Sequence, residues 1–135
     1  MTYIYELKDI TQSYAGRTVL EISDLKIEKG SIVGITGPNG CGKSTLLRIL
    51  AFLERPLAGS LLFKGKPIKD IDENLRREAT LLLQETKLLK RTVFENVAYG
   101  LKARGTRGNL SRKVDLALDM VGLDPGDFAG RLWFQ

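Results

Sequence analysis

The sequence contains no histidine, which removes imidazole both as a general acid or base and as a metal ligand. Its single cysteine, Cys41, has no partner for an internal disulfide, in keeping with a reducing compartment. No apolar run approaches the roughly 20 residues of a membrane-spanning helix. No basic-then-apolar N-terminal segment directs secretion. Together these absences predict a cytosolic chain. Aromatic residues are sparse, at 7%, and do not interleave with basic ones as a single-stranded nucleic-acid surface requires. The net charge of +5, from 21 basic and 16 acidic residues, is therefore read as solvated faces. A mild basic concentration at Lys102, Arg104, Arg107, Arg112 and Lys113 is read the same way, and no nucleic-acid partner is expected. A length of 135 residues, with 43% hydrophobic and 27% charged content, suits a soluble chain with a single core.

What is present is concentrated in one stretch. Residues 37–45 read Gly37-Pro38-Asn39-Gly40-Cys41-Gly42-Lys43-Ser44-Thr45, the spacing G-x-x-x-x-G-K-S. An apolar run, 31–36, precedes it and is expected to be a buried strand. An apolar, glycine-free run, 46–53, follows and suits a buried helix. Strand, glycine loop and helix form the context in which this spacing becomes a phosphate site. Glycines let successive N–H groups converge on an anion with no Cβ in the way. The helix N-terminus adds partial positive charge and free donors. Lys43 supplies a full charge for outer phosphates, and the Ser44 hydroxyl suits Mg²⁺. A plain glycine-rich turn would explain the glycines but not the Lys-Ser-Thr run, so the loop is read as a nucleoside triphosphate site. Cys41 is read as a small residue that fits it.

The first third of the chain reads as strands, 2–7, 10–14 and 19–27, with apolar and polar residues alternating as in a half-exposed antiparallel pair. A turn-rich link, 54–59, leads to a strand over 60–64. Residues 70–78 read as a short helix or turn, and 79–83 as a second buried strand ending at Gln84. Beyond it the pattern turns helical. Thr92 is placed to cap a helix from Val93, with Glu95 in its first turn. Ser111 is expected to cap a second helix with Val114, Ala117, Leu118 and Val121 on one face, closed by Gly122. Residues 123–128 read as a turn.

These landmarks together resemble the N-terminal portion of an ABC-transporter ATP-binding subunit, and the resemblance covers essentially the whole chain. Tyr14, before Gly16-Arg-Thr-Val-Leu20, matches the aromatic that stacks on adenine. Gly37 to Thr45 match the phosphate loop. Gln84, with the run 81–89 and Thr92-Val-Phe-Glu-Asn-Val97, matches the glutamine that reaches Mg²⁺ and the attacking water. Residues 111–123 resemble the helix and Gly-Leu turn before the family's signature loop. The region 84–134 also resembles importers of oxyanions such as tungstate or molybdate. The resemblance implies an α/β fold of the P-loop type: a mixed sheet around the loop, an N-terminal antiparallel part, and the opening helices of an α-helical subdomain. Residues 1–91 would form the nucleotide-binding core and 92–135 the start of that subdomain. It implies ATP and Mg²⁺ as ligands, Lys43 and Gln84 in catalysis, and Ser44 and Gln84 at the metal. It also implies a transmembrane permease and a second ATP-binding subunit as partners, at the inner face of the cell membrane.

The family's Leu-Ser-Gly-Gly-Gln signature, its apolar strand ending in Asp-Glu and its switch histidine are not found in these 135 residues. Phosphoryl transfer requires metal, water and charge to be placed together, so the chain is expected to bind nucleotide without hydrolysing it alone, as an N-terminal fragment. Without the neighbouring Asp-Glu strand, the sheet is expected to present an open edge and an uncovered apolar face. Two other readings remain open: a non-hydrolysing nucleotide-binding module that assembles with a partner, and a soluble ABC-type ATPase of DNA repair or translation.

Overall fold

Alternating residues at the N-terminus build a long hairpin of β1 (Tyr3–Tyr14) and β2 (Arg17–Glu28). It is closed by Ala15 and Gly16, both with positive φ, the turn geometry whose twist matches that of the paired strands. In this computed structural model, which describes residues 2–85, 88–106 and 108–134, β3 (Ala58–Phe63) and the short β4 (Lys66–Pro67) extend the hairpin. The result is an antiparallel sheet of order β2-β1-β3-β4. The chain divides into two units, 1–81 and 82–135, and the sheet belongs to the first.

A bulge at Asp9 sets the phase of β1. Asp9 has φ 52°, and the β1–β3 register shifts between Lys8 and Thr11. Side chains alternate along a strand with period two, so one inserted residue moves every later side chain to the other face. Leu7 is buried, Lys8 and Asp9 are exposed, and Ile10 and Gln12 are buried again. The opposing backbone makes room with Gly59, at φ 96°, where an added Cβ would lie 2.4 Å from the Asp9 carbonyl oxygen. The core face thus carries Leu7 before the bulge and Ile10 and Gln12 after it.

Against that face packs α1 (Lys43–Leu50), whose Leu46 and Ile49 join Leu7, Ile10, Leu20, Leu61 and Phe63 in one buried cluster. The helix ends in a Schellman arrangement: Leu53 N–H donates to the Arg48 carbonyl at 2.9 Å, and Phe52 N–H to Ile49 at 3.1 Å. The left-handed residue there is ordinarily glycine. Here it is Phe52, at φ 57° and fully buried. A left-handed non-glycine residue costs on the order of 1–2 kcal/mol, whereas emptying a buried phenylalanine site costs about 3–5 kcal/mol. Packing therefore wins over backbone strain. The Phe52 ring sits edge-on to Phe63 at 5.0 Å, and the Tyr5 hydroxyl donates to the Leu50 carbonyl at 2.8 Å.

Two expected strands do not form ladders. Residues 31–36 and 79–83 carry no strand pairing, and Ile32, Val33, Leu82 and Leu83 are exposed, Ile32 completely. Apolar composition fits these segments for a sheet interior, but a parallel strand needs neighbours and cover on both faces. Among the described residues none supplies them. The short charged segment does form a helix, α2 (Glu73–Arg77), capped by the Asp72 carboxylate accepting from Leu75 N–H at 2.8 Å.

The second unit contains α3 (Val93–Ala103), α4 (Leu110–Met120) and α5 (Pro125–Phe128). Thr92 and Glu95 form a reciprocal capping box at the start of α3, as the S/T-x-x-E spacing prescribes. Hydrogen bonds from the Thr92 N–H, and then from its hydroxyl, hold the Glu95 carboxyl below its usual range. Its support of the helix is therefore present at neutral pH and is lost in acid, as pH falls through the lowered value. Ala98, Val114 and Leu118 form the buried cluster, and Gly122, at φ 76°, closes α4. Three expectations are corrected. The N-cap of α4 is Asn109, left-handed and without a side-chain cap bond, so Ser111 lies inside the first turn. Val121 is exposed, because the helix has already ended there. Residues 125–128 are helical, since Asp124 accepts from Asp127 N–H at 3.1 Å behind Pro125 at the first position, a strong start signal even for one turn.

Replacing Gly59 with alanine forces a left-handed non-glycine residue against the Asp9 carbonyl. It is expected to cost at least about 2 kcal/mol in urea unfolding followed by circular dichroism. An effect near zero would show that the bulge is not held by this contact.

Candidate functional site

Residues 37–45 leave the unpaired segment 31–36 and enter α1 in the first unit. Gly37, Gly40 and Gly42 have φ of 151°, 82° and 92°, backbone that L side chains rarely adopt. Gly42 is the most confined of them: a Cβ there would lie 2.5 Å from the Val19 carbonyl oxygen and 3.0 Å from Leu20. The loop is thereby pressed onto β2, and the start of α1 is fixed against the hairpin.

The N-terminus of α1 is left open. Gly42, its N-cap, offers no side chain, and no acidic residue stands in the first turn. The first N–H groups of a helix have no partner inside it. At α3 the corresponding donors are met by the capping box, with Val93 and Phe94 N–H also donating to the Arg131 and Ala129 carbonyls. At α1 the first intrahelical bond is Leu46 N–H to the Gly42 carbonyl, 2.9 Å, so the donors of Lys43, Ser44 and Thr45 remain available. The Lys43 ammonium folds back over the loop and donates to the Gly37 and Pro38 carbonyls at 2.7 Å each; its nitrogen lies 3.7 Å from Cys41 Sγ. Thr45 is buried, while Asn39, Cys41 and Ser44 are exposed. Unpaired N–H groups at a helix end and a primary ammonium beside them are the chemistry that suits a tetrahedral anion.

Tyr14 ends β1, 41% exposed, beside the turn that closes the hairpin. Its hydroxyl donates to Glu54 Oε1, which also accepts from Gln12 Nε2. Glu54 and Gln12 had no signal in the sequence, because neither stands in a motif. Their partnership depends on the Asp9 bulge and the Phe52 turn, which no local pattern announces. Gln84 is exposed and belongs to the second unit. Thr86 and Lys87, within the run 81–89, and Arg107 of the basic group lie outside the described residues.

The ABC transporter family model matches residues 20–132, a span that includes the loop, α1 and all three helices of the second unit. The chain belongs to the ABC transporter family. A spermidine/putrescine import ATP-binding protein of Mesoplasma florum is 38% identical over 122 residues, 90% of this chain and 35% of that protein. A tungstate uptake system ATP-binding protein of Peptoclostridium acidaminophilum is 42% identical over 103 residues, 76% of this chain and 46% of that protein. Among solved structures, a dimeric ATP-binding cassette in a post-hydrolysis state, bound to ADP and phosphate, superposes with a TM-score of 0.82 at 29% identity. That match covers 97% of this chain and 62% of the other. The chain thus spans between about a third and a half of the length of these two curated relatives.

Within this ABC fold, the contact between Gly42 and β2 has a direct consequence. Gly42→Ala places a Cβ against the Val19 carbonyl and shifts the start of α1. Phosphate binding by the chain, followed by calorimetry with inorganic tripolyphosphate, is expected to weaken at least about tenfold, the scale of one lost pre-organised contact. Unchanged binding would mean that the loop's anion affinity does not depend on this close approach.

Proposed function

We propose that the chain is the nucleotide-binding part of an ABC import ATPase, and that residues 37–45 hold the phosphates of ATP. The observation that carries this reading is the open, glycine-shaped N-terminus of α1 with the Lys43 ammonium lying across the loop. On binding, Lys43 exchanges its two carbonyl partners for outer phosphate oxygens, a charge-assisted contact stronger than the one it leaves. Tyr14 offers its ring to the adenine. Among the described residues no group of three His, Cys, Asp or Glu side chains is placed to hold a metal ion. Mg²⁺ would be held largely by the nucleotide's own oxygens, with the exposed Ser44 hydroxyl as a protein ligand; the family resemblance adds Gln84. Gln84 would also position the attacking water.

Residues 1–91 act as the nucleotide-binding core and 92–135 open the α-helical subdomain that meets a transmembrane permease. A second ATP-binding subunit completes the assembly at the cytoplasmic face of the membrane. No helix among the described residues is long and apolar enough to cross a membrane. Residues 1–135 hold neither the signature loop nor the Asp-Glu strand, so these residues bind nucleotide without turning it over. The relatives' names carry cargoes as different as a polyamine, tungstate and sulfate.

Lys43→Ala is expected to weaken Mg-ATP binding by a few kcal/mol, the scale of a charge-assisted contact removed from a partly desolvated site. Fluorescent-nucleotide titration measures it. Equal affinity in the variant and the unaltered chain rules out residues 37–45 as the phosphate site.

A further inference from the structure

The first unit contains a polar connection that phosphate binding does not use. Glu54, half-buried, lies just beyond α1. Its Oε1 accepts from both the Tyr14 hydroxyl and Gln12 Nε2. Gln12 is itself buried, and its Oε1 accepts from Leu57 N–H at 2.7 Å. Both strand residues face this side because of the Asp9 bulge, and Glu54 is aimed towards them by the left-handed turn at Phe52. One carboxylate oxygen therefore ties the strand end that carries Tyr14 to the segment that leaves α1, whose other end is the phosphate loop.

We propose that Glu54 is a positioning residue for the nucleobase: it holds the Tyr14 ring, through the phenol oxygen, as a fixed platform registered to α1. The proposal rests on the reading of Tyr14 as the base platform. A tyrosine at an exposed strand end is free to turn about two side-chain bonds, and a ligand that stacks on it must bear the cost of ordering it. A hydrogen bond at the phenol oxygen lies in the ring plane and leaves the π-faces uncovered. Among the described residues no aromatic ring or cation stacks on Tyr14. The acceptor is a carboxylate, which makes the bond charge-assisted. It is shared with a buried amide, which limits the carboxylate's own motion. Base and phosphate subsites are thus held at a set separation by one structural member, α1 with its C-terminal turn.

The test compares two ligands on the same chain by titration calorimetry, Mg-ATP and inorganic tripolyphosphate; the second reads the phosphate loop alone. Glu54→Ala is expected to weaken ATP about fivefold, the effect of one hydrogen bond on pre-organisation, and to leave tripolyphosphate affinity unchanged. Glu54→Gln, whose amide oxygen can accept from both donors, is expected to restore ATP affinity. Tyr14→Phe removes the same bond at an exposed position and leaves the Gln12 pairing intact, so it remains informative if Glu54→Ala does not fold. It is expected to match Glu54→Ala, and the double variant to bind ATP no worse than either single one. Equal losses for both ligands would show that Glu54 only supports α1, and additive losses would show that it does not act through the phenol; either result overturns the proposal. If Tyr14→Ala binds ATP as the unaltered chain does, the base-platform reading falls and the proposal with it. If Tyr14→Ala weakens ATP while Tyr14→Phe and Glu54→Ala do not, only the role of Glu54 is overturned.

Discussion

The inserted residue at Asp9 governs the first unit. Without it, odd-numbered side chains would continue to face the core, placing Asp9, Thr11 and Ser13 there and sending Gln12 and Tyr14 to solvent. With it, Leu7, Ile10, Gln12 and Tyr14 share one side; α1 packs against Leu7 and Ile10, and Gln12 meets Glu54 beyond the helix. The cost is a left-handed aspartate and a backbone approach that only a glycine at position 59 permits. Left-handed aspartate is among the less costly of such residues, while the gain is a continuous apolar face of several fully buried side chains. Burial of each large one contributes about 1.5–3 kcal/mol, so the bulge is retained.

The two ends of α1 then divide the work. Its C-terminus is closed, with a Schellman pair, the Tyr5 hydroxyl and a buried phenylalanine at the strained position. Its N-terminus is left open and is preceded by three glycines of positive φ. Open donors cost little in water and become strong partners for an anion. A helix fixed at one end and unsatisfied at the other is a rigid carrier for a charged ligand, and rigidity lowers the ordering cost of binding.

Features written in local chemistry were legible in the sequence. The Gly37 to Thr45 spacing, the Thr92–Glu95 box and Gly122 each depend on residues within one turn of each other, and all three occur where the sequence puts them. The hairpin is legible because its alternation is long, although the alternation is interrupted at residues 8 and 9, the site of the bulge. Segments 31–36 and 79–83 have the composition of strands yet do not pair, because a strand is defined by its neighbours, which a segment's own composition does not specify. Serine at a helix start is a common cap, which favours Ser111 in the sequence; the left-handed Asn109 backbone pre-empts it by two residues. Glu54 carried no signal, since its partners lie 40 and 42 residues away and meet it only after two irregular backbone positions have formed.

The proposed function assigns one helix end, shaped by glycines, to the phosphates and Tyr14 to the base. The most direct measurement is a two-dimensional amide and aromatic NMR titration of the chain with Mg-ATP. The amides of Gly40, Gly42, Lys43, Ser44 and Thr45 and the ring protons of Tyr14 should shift together and saturate at one ligand per chain. Amides of the loop that stay in place while ATP binds elsewhere, or a Tyr14 ring that does not respond, would contradict it.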